Sequence, residues 1–103
     1  MVTELTRDSF ARCLNDAFEV QRPGAGAVAL ELIEAGGPPA SGGDETFSIV
    51  FRGPPEAFLP QATYRFGHDG LGAFDLFIVP VGPDQAGHRY EAVFNRPRRE
   101  RDR

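Results

Sequence analysis

The chain of 103 residues contains no lysine; all 11 of its basic residues are arginine. Any mechanism that needs a lysine is thereby excluded, the G-x-x-x-x-G-K-[ST] phosphate loop among them. There is one cysteine, Cys13, which cannot make an internal disulfide. With no secretion signal in view, it reads as a small buried hydrophobe rather than a reactive thiol. Long apolar runs are also missing: none approaches the ~18 residues a membrane-spanning helix needs. The opening residues, Met1 to Leu5, lack the basic-then-apolar plan of a signal peptide. These absences together predict a cytoplasmic protein with no membrane partner.

What is present fits one domain. A chain of this length buries roughly 60–70% of its unfolded surface, enough for a single core, and its 41% hydrophobic content supplies one. The net charge of −4 conceals an asymmetry. Arg96, Arg98, Arg99, Arg101 and Arg103 against Glu100 and Asp102 make residues 96–103 a +3 tail, which leaves −7 on residues 1–95. An acidic body repels phosphate backbones, so nucleic acid is not the expected partner. The tail reads as a frayed, solvated end, and the folded domain as residues 1–95.

The apolar periodicity begins helical and then changes. Thr6 is a natural N-cap, Asp8 falls where the helix dipole favours an anion, and Phe10, Cys13, Leu14 and Ala17 recur at helical spacing. This predicts a short helix over about 7–14, stopped by Asn15, with Leu5 and Phe10 at hydrophobic-staple spacing. Beyond it the period is two. Phe18 and Val20, then Val28, Leu30 and Leu32, make a hairpin about the turn Arg22-Pro23-Gly24-Ala25. Residues 36–44 form a Gly/Pro loop. Further strands carry Phe47, Ile49 and Phe51; Tyr64 and Phe66; Phe74, Leu76 and Ile78; and Tyr90, Ala92 and Phe94. Gly53 to Pro60, with three prolines, cannot be an interior strand; Phe58 and Leu59 are expected to plug the end of the core. Gly82-Pro83-Asp84 is expected to turn between the last two strands. The expectation is a mainly β fold of about six antiparallel strands rolled into a small barrel or sandwich, with one short N-terminal helix packed on it.

Tests for chemistry return little. A nucleophile needs a base, and the only histidines are His68 and His88, both in glycine-containing turns. Zinc draws on about four Cys or His ligands where this chain has three, leaving only a carboxylate-assisted arrangement. Asp69 and Asp84 stand alone rather than in a calcium loop. The glycine pairs match neither phosphate-binding fingerprint. Glu31, Asp75 and Glu91 sit at solvent parity, as a polar outer face does rather than a carboxylate pair. No catalytic, cofactor or metal residue is assigned, and the chain is expected not to be an enzyme.

One segment breaks the polar alternation. Around Ala73 to Pro80, Phe77 and Val79 make the strand apolar on both faces, and such a strand is covered on both. Either the helix covers it or another protein chain does. The segments Phe47 to Pro54, Leu59-Pro60-Gln61 with Thr63-Tyr64, Leu76-Phe77 with Val79-Pro80, and Arg89 to Asn95, together with Leu5-Thr6 and Phe10, resemble a family of short bacterial proteins known only as a domain of unknown function. The resemblance spans residues ~4–95. It implies an association with phage tail-collar-like proteins and carries no catalytic residue. Phe77 and Val79, with Arg52 and Arg89 from the matching text, are the candidate partner contacts. The leading expectation is a protein-interaction or assembly module that binds another protein or itself. The alternative is a small-molecule or lipid-binding barrel.

Overall fold

The computed structural model describes residues 5–36 and 45–96. They form a helix, α1 (Arg7–Ala11), and six strands: β1 (Ala17–Arg22), β2 (Gly26–Gly36), β3 (Glu45–Gly53), β4 (Ala62–His68), β5 (Gly72–Asp84) and β6 (Gly87–Arg96). Every pairing is antiparallel, and the order β1-β2-β3-β6-β5-β4 closes into a barrel through β4 and β1. The period-two pattern dictates what fills it. Phe18, Val20, Leu30, Leu32, Phe47, Ile49, Phe51, Phe66, Ile78 and Tyr90 are all essentially inaccessible, as alternation across a pleated strand requires. The first hairpin turns where expected: Ala25 N–H bonds Arg22 C=O, and Gly24 takes the positive φ, +70°, that the turn needs.

The two ends of the barrel are closed differently. At one end α1 inserts Phe10, whose ring lies 5.5–6.4 Å from those of Phe18, Phe47, Phe74 and Phe94. Thr6 caps the helix by accepting the Ser9 N–H, while Ser9 Oγ accepts the Thr6 N–H at 2.7 Å. At the other end the loop 54–61 seats Leu59, whose N–H bonds the Tyr90 hydroxyl at 2.9 Å; Tyr64 donates to Pro60 C=O at 2.6 Å.

Three local expectations are corrected. The helix ends at Ala11 rather than 14, because Cys13 and Leu14 bond back three residues to Phe10 and Ala11. Asn15 then turns left-handed at φ +73° and donates to Leu32 C=O, so Leu14 faces solvent and Ala17 starts β1. Phe58 is half exposed and only Leu59 plugs the core. Gly82 and Pro83 belong to β5: an irregularity between Pro80 and Gly82 lengthens the strand, and the turn falls at residues 85–86, where Asp84 Oδ1 accepts the N–H groups of Ala86 and Gly87. Residues 37–44 of the Gly/Pro loop and 97–103 of the Arg-rich tail lie outside the described residues.

Candidate functional site

The outward rows of β3, β6 and β5 form one wall. Across β3 and β6, Arg52 lies beside Arg89, Val50 beside Glu91 and Ser48 beside Val93. Across β6 and β5, Arg89 lies beside Gly82 and Glu91 beside Val79. Phe77 continues the outward row of β5 two residues before Val79. The register thus brings Phe77, Val79, Arg52 and Arg89 onto one face. Phe77 is 50% and Val93 65% exposed, with Val81 at 38% between the ladder positions. Side chains this apolar in the open are informative when they are contiguous. Sequence parity singled out Phe77 and Val79. It placed Val93 on the polar side of its strand, where an apolar residue was itself the missed signal.

The helix does not cover this wall. It packs on β2 and β3 and points Phe10 into the barrel end. Of the two covers the sequence allowed, the internal one is occupied elsewhere.

The wall is framed by charge. Arg52 donates through Nε and Nη2 to Asp84 Oδ2 at 3.0 and 2.8 Å, with Glu31 at 4.0 Å. This pair ties the β5–β6 hairpin to β3. Beside it, Arg89 Nε is buried without a hydrogen-bond partner, and a buried donor of this kind is costly unless an acceptor reaches it. The Arg52 guanidinium, then the Ala86 N–H, holds the Asp84 carboxyl below its ordinary 3.8, against an opposing effect of burial. A carboxyl depressed on folding contributes stability above its unfolded value and loses it as pH falls through the lower folded value. Acid titration of wild type should therefore show a stability loss beginning near pH ~4 and continuing below it that Asp84→Asn lacks. Parallel curves for the two proteins would remove Asp84 from the account.

The β1–β4 side holds the other notable cluster. Cys13, Asp16 and His68 bring their ligand atoms within 4.8 Å of one another. His68 is oriented not by its neighbour Asp69 but by Asp16, with Nε2 3.0 Å from Asp16 Oδ2. Its Nδ1 accepts the N–H groups of Gly70 (2.9 Å) and Leu71 (3.1 Å). An acceptor nitrogen carries no proton, so the ring proton sits on Nε2 and points at Asp16. In that tautomer the Nδ1 lone pair is taken by two amides and Nε2 is a donor to Asp16, an arrangement that spends both nitrogens on protein groups rather than on a metal ion. Burial pushes the Cys13 thiol up, Asp16 pushes the same way and Arg12 opposes, which favours the inert thiol over the nucleophilic thiolate. His68 also stacks on Phe18 at 4.5 Å. The cluster is a clasp, joining β4 to the start of β1 where their ladder, Glu19–Gln21 with Arg65–Gly67, has stopped.

An open groove of about 870 Å³ adjoins the clasp, lined by Asp16 and His68 together with Ala17, Glu19, Ala29 and Gly67. Glu31, Asp75 and Glu91 lie on three different strands, with Asp75 in an exposed pair with Arg65. His88 contacts the Pro55 carbonyl at 3.2 Å and the ring of Phe58. No helix among the described residues is long and apolar enough to cross a membrane.

The family model of a domain of unknown function, DUF6916, matches residues 5–94. No curated protein and no solved structure matches the chain.

Proposed function

The chain belongs to the DUF6916 domain family, and we propose for it a non-enzymatic role as a protein-interaction module that docks through the wall of β3, β6 and β5. The observation that carries this reading is the contiguity of Phe77, Val79 and Val93 beside Arg52 and Arg89, with the Arg89 Nε lacking an acceptor that a docked partner would supply. The partner is another protein rather than a second copy, because two bodies of charge −7 repel at long range. The same acidity disfavours nucleic acid. In this reading the protein acts in the cytoplasm as an accessory of a larger assembly, a phage-tail-like structure being the one the family resemblance suggests. A ligand inside the barrel fits less well, since the rings of Phe10, Phe18, Phe51, Phe66 and Phe74 already pack against one another there.

The test is a comparison of wild type with Phe77→Ser/Val93→Ser by affinity capture from native lysate. Both side chains are exposed, so the variant should keep its fold to within about 1 kcal/mol. It is expected to lose a partner that wild type captures. A variant that retains every captured protein, or a wild type that captures none, would end this reading.

A further inference from the structure

The outward residues of the wall fall into rows across the strands. One row runs Gly82 of β5, Arg89 of β6, Arg52 of β3 and Glu31 of β2. It places two guanidinium groups on neighbouring strands, and like charges directly opposite are unfavourable. The two arginines are not equivalent. Arg52 donates through Nε and Nη2 to Asp84 Oδ2, and its Nη1 lies 4.0 Å from Glu31. The other oxygen of Asp84 is taken by the Ala86 and Gly87 amides. Arg89 receives none of this. Among the described residues its side chain has no hydrogen bond or ion pair, and its Nε is buried without an acceptor. Its neighbour on β5 is Gly82, at the irregularity of that strand, with φ +106° and open space where a Cβ would stand. The position beside Arg89 on β5 thus carries no side chain.

We propose that Arg89 is the wall's recognition point for a carboxylate of the docked partner protein. The proposal rests on the interaction reading above and names what the partner must carry. With Nε covered, the two Nη groups are the donors left to meet a ligand. A guanidinium offers a carboxylate two parallel hydrogen bonds in this way. An anion held there also offsets the repulsion between Arg89 and Arg52. Arg52 does not serve the same purpose, because Asp84 already holds two of its nitrogens. The surroundings admit one carboxylate in one register. Glu91, the next outward residue of β6, and Asp84, one row the other way, repel an acid placed elsewhere. Val93 stands four residues from Arg89, about 13 Å along an extended strand. With Phe77 it supplies exposed apolar surface at that distance. The occupant is therefore a partner segment with an acidic side chain at one end and an apolar one about 13 Å away.

The probe is the capped peptide Asp-Thr-Val-Thr-Leu, compared with its Asn-Thr-Val-Thr-Leu twin. Binding to the full chain is read by NMR, through the Arg89 Nε–Hε signal and the Val93 methyl groups. The Asp peptide should shift both signals and bind about fivefold or more tightly than the Asn peptide. Arg89→Met keeps a straight apolar stem and removes an unpaired donor, so its urea midpoint should not fall. This variant should bind the two peptides equally. Arg89→Lys keeps the charge without the fork and should recover only part of the difference. A preference for Asp that survives in Arg89→Met would overturn the proposal. So would a clear fall in the Arg89→Met urea midpoint, which would show that the guanidinium serves the fold. If wild type binds both peptides equally, the wall is an apolar dock; the proposal falls and the interaction reading stands. If neither peptide binds, the proposal falls and the lysate comparison alone decides the interaction reading.

Discussion

Phe10→Ala is expected to cost about 3–5 kcal/mol, the range for removing a fully buried aromatic ring from a core. A domain of this size holds only about 5–15 kcal/mol in all, so the variant should unfold at a far lower urea concentration. The ring is completely buried and in contact with four other phenylalanines. Those neighbours come from β1, β3, β5 and β6, so no single strand can move in to fill the void without disturbing its ladders. A helix of five residues cannot hold itself together; without its anchor the capping hydrogen bonds between Thr6 and Ser9 stabilise nothing. Leu14→Ala is the control. It is the neighbouring apolar side chain but faces solvent, and should change stability by no more than about 0.5 kcal/mol. A Phe10→Ala loss under about 1.5 kcal/mol would mean that the barrel end is closed by something other than this ring.

The strands were legible because a barrel wall with one buried face imposes the same period on every strand. The inward residues of all six strands read directly from alternation, from Phe18 and Val20 through to Tyr90 and Ala92. Punctuation with a local mechanism was legible too: Thr6 as a cap, Pro23-Gly24 as a turn, Asn15 as the residue that tolerates positive φ. What failed had a cause outside the local pattern. The helix was read three residues too long because Leu14 keeps helical spacing, while Leu32, 17 residues beyond Asn15, supplies the carbonyl that draws the chain out of the helix. The last turn was misplaced because an extra residue near Val81 shifts the register, so a glycine and a proline that usually mark a turn were absorbed into the strand. The candidate wall was half legible. Doubled apolarity exposed Phe77 and Val79, but Val93 joins them only once β6 is known to lie between β3 and β5. The clasp was beyond reach: Asp16 and His68 are 52 residues apart, and His68 has an acidic neighbour in Asp69 that draws attention from its actual partner.

Gly87→Ala is the second large effect, and its origin is backbone rather than side chain. Gly87 opens β6 at φ +153°, a conformation essentially reserved for glycine. A Cβ placed there would run into the Gly53 carbonyl oxygen. That oxygen belongs to β3, paired with β6 through Gly53↔His88, so no rotamer change can make room. Either the two strands part at this point or the hairpin twists away. Both outcomes pull Asp84 from Arg52, because Asp84 accepts the Gly87 N–H and the Arg52 guanidinium through its two oxygens. The cost is expected to be about 3 kcal/mol or more, combining a strained φ with a backbone clash. Two other glycines grade the effect. At Gly53 an added Cβ would meet Leu30 Cδ2 at 2.5 Å, the tip of a side chain that can rotate, so Gly53→Ala should cost less. At Gly24 nothing lies within 4 Å, and only the left-handed φ is penalised, by about 1 kcal/mol. Urea denaturation of the three variants should give the order Gly87, Gly53, Gly24 from most to least damaging. A Gly87→Ala protein within about 1 kcal/mol of wild type would show that β3 and the hairpin are not held in this close approach. The Arg52–Asp84 pair would then be free to move, and with it the charged frame of the interaction wall.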